Sequence, residues 1–161
     1  MIKKPVKYSS YVNILSGTVI AAAAGFCIYR HRTSDTEMIY IICALLALMI
    51  ICAIFYAPLW ISVDDKALRI RRPLRAKKIP LSMIESVVPW PPTMAARRLL
   101  GSGGWCGYWG WFSERDLGKY FAYYGKASDC FLVTLKNGRR YLLGCDDPQT
   151  IVDFINTRIK R

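Results

Sequence analysis

Two stretches without a single Asp, Glu, Lys or Arg, residues 11–29 and 38–57, constrain this chain more than anything else in it. They are 19 and 20 residues long. At about 1.5 Å of rise per residue, each spans roughly 30 Å as a helix, the thickness of a bilayer's hydrocarbon core. A soluble helix keeps a polar face, and neither stretch has one, so a pair of buried helices in a soluble bundle fits poorly. A cleaved signal peptide is the other rival for the first stretch, with Lys3, Lys4 and Lys7 as its basic end and the alanines at 21–24 as its cleavage site. The apolar run continues past them to Tyr29 and a second run soon follows, so both are expected to stay as a transmembrane helical hairpin over 11–57. The connector 30–37 is short enough to force an antiparallel pair, and Ser34-Asp35-Thr36-Glu37 has capping-box spacing. Gly17, Ala21 and Gly25 recur every four residues and form a small stripe suited to close helix packing, with Ala44 and Ala47 as a matching face.

Charge gives the orientation. The net charge is +12, and only five of the 23 Lys and Arg precede residue 58. Lys3, Lys4 and Lys7 lie before the first span, and Lys66, Arg69, Arg71, Arg72, Arg75, Lys77 and Lys78 follow the second, against Arg30 and Arg32 in the connector. The positive-inside bias therefore predicts a cytoplasmic N-terminal tail at 1–10, both termini inside and the connector outside. Tyr8, Tyr11, Tyr29, Tyr40, Tyr56 and Trp60 flank the spans as interfacial aromatics do.

The pattern changes at Pro58, where a cytoplasmic domain over 58–161 is expected. Residues 60–63 and 67–71 alternate in character around Asp64-Asp65-Lys66 and predict a β-hairpin. A third strand is expected at 77–80, and a strand or one short helical turn at 81–88. Asn137-Gly138 supplies the positive-φ residues of a tight turn between strands at 131–135 and 140–144, with another strand at 119–124. Asp147 and Pro148 then open a helix as N-cap and first helical residue. Its apolar face is Ile151, Phe154, Ile155 and Ile159, and Arg158, Lys160 and Arg161 crowd its C-terminal end.

That succession resembles bacterial pleckstrin-homology (PH)-like domains. The similar stretches are LWISVDDKALRI (59–70), KIPLSMIESV (78–87), GWCGYWGWF (104–112) with LGKY (117–120), LVTLKNG (132–138), and Asp146-Asp147-Pro148 with its helix. The resemblance implies a mainly-β, partly open barrel or sandwich of seven strands plugged by the C-terminal α-helix. It also implies a binding or scaffolding module rather than an enzyme, and a bacterial inner-membrane location when joined to a multi-pass anchor. It brings no ligand with it, since the basic motif with which eukaryotic relatives hold phosphoinositides has no residue-by-residue counterpart here.

Two features are candidate sites. The polybasic run 66–78 carries seven cations in 13 residues: Lys66, Arg69, Arg71, Arg72, Arg75, Lys77 and Lys78. Near a bilayer such a run is drawn to anionic headgroups by about 1 kcal/mol per cation. The plainer reading is a topology signal and a solvated face. The second is 90–112, with Trp90, Trp105, Trp109 and Trp111, Arg97 and Arg98, and five glycines. A loop is expected there, with a short amphipathic helix at 94–100. It suits a lipid interface or a partner membrane protein; the plainer reading is core, with Trp109 and Trp111 filling the interior. The leading expectation is a module contacting anionic lipid headgroups or a partner membrane protein, or forming a homo-oligomer. The alternative is a purely structural subunit of a membrane complex.

Other chemistry has little to stand on. His31 is the sole histidine, and no CxxC, phosphate-loop or dinucleotide-binding pattern occurs. No metal site, cofactor or nucleic-acid partner is expected. Cys27, Cys43, Cys52, Cys106, Cys130 and Cys145 are expected to be reduced, although a bridge from Cys130 to Cys145 is sterically open.

Overall fold

The computed structural model describes residues 1–32, 36–93 and 95–159. Ser34 and Asp35 of the expected capping box, Met94, Lys160 and Arg161 lie outside the described residues. The elements in chain order are β1 (Ile2–Pro5), α1 (Ser10–Arg32), α2 (Thr36–Tyr56), β2 (Trp60–Val63), β3 (Ala67–Arg71), β4 (Ala76–Pro80), β5 (Ile84–Pro89), β6 (Arg97–Gly104), β7 (Gly107–Glu114), β8 (Gly118–Tyr124), β9 (Cys130–Leu135), β10 (Arg140–Gly144) and α3 (Pro148–Ile159).

The apolar stretches form helices close to the expected bounds. Ser10–Tyr29, with mean hydropathy 1.7, is long and apolar enough to cross a membrane, and only 6% of its apolar window is buried, unlike the core helix of a soluble protein. The other described apolar stretch, Glu37–Ala53, is shorter. The length test is thus met by one helix and not by the expected two. Gly17 and Gly25 do not face α2: a Cβ at either would meet no atom within 4 Å. The less exposed side of α1 instead carries Leu15, Ser16, Val19, Ala23 and Cys27, with the Cys27 and Cys43 sulfurs 4.0 Å apart. Ala44 and Ala47 of α2 are likewise exposed.

The remaining chain folds into two hydrogen-bonded sheets, with no closed barrel among the described residues. The smaller runs β1-β2-β3-β4 and is antiparallel throughout. The larger runs β5-β9-β10-β8-β7-β6, with β10 parallel to β8. The hairpins at β2–β3 and β9–β10 match the sequence expectation, and Gly138 turns the second at a φ of 76°. Residues 81–89 hold both alternatives, a 3-10 turn at Leu81–Met83 followed by β5.

Two regions depart from expectation. The tail contains β1, paired with β2 in the register Ile2↔Val63 to Pro5↔Trp60. The tail then threads the domain. Val6 N–H donates to Leu59 O, Asp146 N–H to Pro5 O and Ser9 N–H to Gly125 O, while Lys4 pairs with Asp147 and Lys7 with Asp146 at 2.9 and 2.8 Å. Burial lifts the Tyr8 hydroxyl pKa to about 12 as it donates to Pro58 O. The second departure is 97–114, which is an eight-plus-eight residue hairpin, β6–β7, and neither loop nor helix. Glycine is a poor helix former, and at Gly101 and Gly110 φ is 122°, a conformation open to glycine alone.

The main core lies between the sheets and α3, built from Ile61, Leu68, Ile70, Phe131, Val133 and Leu143 under Ile151 and Ile155. Ahead of α3, the Asp147 carboxylate accepts from the hydroxyl and the backbone N–H of Thr150, which with Lys4 hold its pKa below the ordinary 3.8. A smaller core on the opposite face of the large sheet gathers Phe112, Tyr120, Leu132 and Leu142, against which Trp90 packs. All six cysteines are free thiols, with Cys130 and Cys145 buried. Burial raises both thiol pKa values, that of Cys145 to about 12, which suppresses the reactive thiolate.

Gly125→Ala tests the threaded tail, because its Cβ would stand 2.4 Å from the Lys7 carbonyl oxygen. Overpacking of this kind costs about 1–3 kcal/mol. The expected outcome is a lower melting temperature together with faster proteolysis ahead of Ser10; protection equal to the wild type would contradict the threading.

Candidate functional site

The alternation read in β3 puts Leu68 and Ile70 inward and Arg69 and Arg71 outward, and the register extends the outer rows across the sheet. Lys3, Ser62, Arg69 and Lys78 share one row; Pro5, Trp60, Arg71 and Ala76 share the next. Like charges directly opposite, as at Arg69 and Lys78, repel. Asp64 relieves them by pairing with Arg69 at 2.7 Å. The carboxylate of Asp64 also accepts from the Lys66 and Ala67 backbone N–H groups, which hold its pKa below the ordinary 3.8, assisted by Arg69. Trp60 lies under Lys3 Nζ at 3.9 Å and near the Arg71 guanidinium at 5.9 Å. Lys3 was read from sequence only as an orientation signal; it joins this basic face because β1 pairs.

The other predicted cations part company. Lys66 and Arg75 are exposed at turns. Lys77 points to the opposite side of the sheet, over the Tyr141 ring at 4.6 Å. Arg72 lies between Tyr56 and Tyr123, 5.9 and 5.8 Å from their ring centres, and its Nε is buried without a hydrogen-bond partner. Pro73, in the same turn, borders a cavity of about 290 Å³ with Ile50 and Ala53 of α2 and Ala57 just after it, so the β3–β4 turn stands beside the end of that helix. Arg97 and Arg98 sit at the start of β6, apart from the basic sheet.

The β6–β7 hairpin is braced on the helices. At its tip, Cys106 N–H donates to Ser16 Oγ at 3.0 Å, and Trp105 Nε1 donates to Met49 O at 3.4 Å. A Cβ at Gly104 would reach within 2.9 Å of Leu15. Trp109, 9% exposed, stacks on Tyr56 at 5.3 Å. Of the two tryptophans considered as interior filling, Trp109 is buried, whereas Trp111 is 42% exposed beside exposed Leu99 and Leu100. Lining residues Cys52 and Tyr56 of α2, Leu100, Trp109 and Trp111 of the hairpin, and Phe121 of β8 enclose an open cavity of about 410 Å³.

One buried carboxylate stands apart from both candidate sites. Glu114, 4% exposed, accepts from the backbone N–H of Thr93 at 3.0 Å and from its hydroxyl, which straps residues 90–93 over the second core. Among the described residues no group of three or more His, Cys, Asp and Glu is arranged to hold a metal.

A family model described as Bacterial PH domain matches residues 59–159. No curated protein and no solved structure matches the chain.

Two outcomes follow. Glu114→Ala removes the buried acceptor that holds the exposed Thr93 and should cost about 1 kcal/mol in denaturant unfolding. Asp64, with its pKa depressed in the folded state, contributes stability above the ordinary carboxylate range that is lost as pH falls through its folded value. The melting temperature should therefore drop more steeply below about pH 4 in the wild type than in Asp64→Asn.

Proposed function

Since the chain belongs to the bacterial PH domain family, we propose that it is a membrane-anchored, non-catalytic binding module held at the inner leaflet by its helical hairpin. One observation carries the reading. β1 precedes α1 and β2 follows α2, yet the two strands share one sheet. The helices must then leave the domain and return to it on the same side, which is the geometry of a two-span hairpin. The ten cations at 3–7 and 66–78 that flank the helices on that side, against two in the connector, agree with a cytoplasmic domain. The turn carrying Arg71, Arg72 and Arg75 stands at the end of α2, at headgroup level in this arrangement, and each cation adds about 1 kcal/mol of attraction to anionic lipid.

The structural-subunit reading draws support from the open space beside Gly17 and Gly25, where a helix of another membrane protein would pack closely. A co-purifying protein whose association is lost in Gly17→Leu, with lipid selectivity unchanged, would favour it.

The full chain tests the main proposal directly. Carbonate-washed membranes should retain it, and a reporter after Arg161 should read as cytoplasmic. In reconstituted bilayers, spin-labelled phosphatidylglycerol should be motionally restricted in excess over phosphatidylcholine, and Arg71→Gln/Arg75→Gln or high salt should shrink that excess. Extraction by carbonate, a reporter outside, or equal restriction of the two lipids would overturn it.

A further inference from the structure

The cavity between α2 and the β6–β7 hairpin does not end at Cys52. A second cavity of about 330 Å³, bordered by Leu48, Met49, Arg98, Ser102 and Trp105, shares Cys52, Gly101 and Trp109 with the first. Together they form one groove along α2 from Tyr56 to Leu48, eight residues or about 12 Å of helix. Its floor at Gly101 and Gly110 is bare backbone. Each cavity falls in the roughly 300–1,000 Å³ range of small-molecule sites.

We propose that this groove holds one acyl chain of an anionic glycerophospholipid, with its phosphate against Arg72 at the Tyr56 end. The proposal rests on the reading above that α2 spans the bilayer. The groove opens onto the exposed apolar surface of α2, where Leu45, Leu48 and Ile51 are each at least 50% exposed. In a bilayer that surface is already bathed in lipid. A peptide in the same place would bring backbone N–H and C=O groups into hydrocarbon without partners. The polar groups of the hairpin there are already engaged: Ser102 Oγ and Trp109 Nε1 both donate to Trp105 O, at 2.8 and 3.2 Å. The charges at the groove are cationic. Arg72 packs on Tyr56 at the rim of the groove, with Nη1 donating to the Tyr123 hydroxyl at 3.5 Å and Nε buried without a partner. Arg98 runs along β6, its Nη1 3.1 Å from where a Gly103 Cβ would stand. A long apolar slot with a guanidinium held on aromatic faces at one end matches a chain with an anionic head.

Native mass spectrometry of the full-length protein, released from bilayers of mixed phosphatidylglycerol and phosphatidylcholine, provides the test. The wild type is expected to retain one phosphatidylglycerol. Arg72→Gln should lower its occupancy at least tenfold, as should Cys52→Phe, which fills the slot from the helix side. Leu100→Gln, at a position 72% exposed and therefore tolerant, should weaken it as well. Arg139→Gln, an exposed cation on the distant β9–β10 turn, removes the same charge and should leave it unchanged. As a second readout, phosphatidylglycerol bearing a photoreactive acyl chain should crosslink to peptides containing Cys52 or Leu100. Equal loss in Arg139→Gln and Arg72→Gln, undiminished lipid in folded Leu100→Gln, or crosslinks confined to α1 would overturn the groove while leaving the membrane anchor intact. Release of the wild type from membranes by carbonate would overturn both.

Discussion

Backbone pairing of Ile2–Pro5 with Trp60–Val63 fixes more of this molecule than any side-chain contact. It makes the segment before the helices part of the domain after them, and everything between becomes a closed loop containing α1 and α2. The pairing is reinforced along the tail. Pro5 O accepts from Asp146 N–H, and the carbonyl of Lys7 comes so near Gly125 that no side chain fits between. Lys4 and Lys7 pair with Asp147 and Asp146 just ahead of α3, so the tail is tied to the start of that helix. Exposed ion pairs contribute little individually; the strand ladder and the core beneath it bear most of the attachment.

The β6–β7 hairpin sets a second constraint, the position of the helices against the sheet. Tryptophan supplies area at Trp105 and Trp109, and glycine supplies approach at Gly104 and Gly107, where added side chains would collide with α1 or Tyr8. The stacked pair Tyr56–Trp109 joins α2 to the main core, since Trp109 belongs to the same cluster as Phe131 and Ile151. The domain is therefore closed at one end by α3 and bounded at the other by the end of α2.

Much of this was legible in the sequence because local chemistry was unambiguous. The two uncharged runs, the Asn137-Gly138 turn, the Asp147-Pro148 helix start and the alternation of 67–71 each translate directly into an element. The family relationship was likewise legible in the order of short motifs. What escaped was decided by distant partners. Ile2–Pro5 is too short and too basic to announce a strand, and becomes one only because β2 offers an open edge. In 97–114 the glycines hide the period-two alternation, and a helix was expected where cross-strand pairing prevails. The stripe Gly17, Ala21, Gly25 has the right spacing for packing, but the side of α1 that meets α2 is chosen by Leu15 and Ser16, which the hairpin tip engages. The cationic run reads as one block in the sequence and separates in the fold into an outer face, an aromatic clamp at Arg72 and an inward Lys77.

The threaded tail also bears on biogenesis. β1 is synthesised before the helices and its partner β2 after them, so the strand stays unpaired while both apolar segments are made and placed. Contacts so far apart along the chain form slowly, because the loop between them must close first. An open, basic strand end waiting through that interval is exposed to proteases and to wrong partners. Lys4 in the strand and Lys7 just after it meet their carboxylates only when Asp147 and Asp146 arrive ahead of α3. β1 can therefore pair once β2 is made, while its ties to Asp146 and Asp147 wait for the segment ahead of α3.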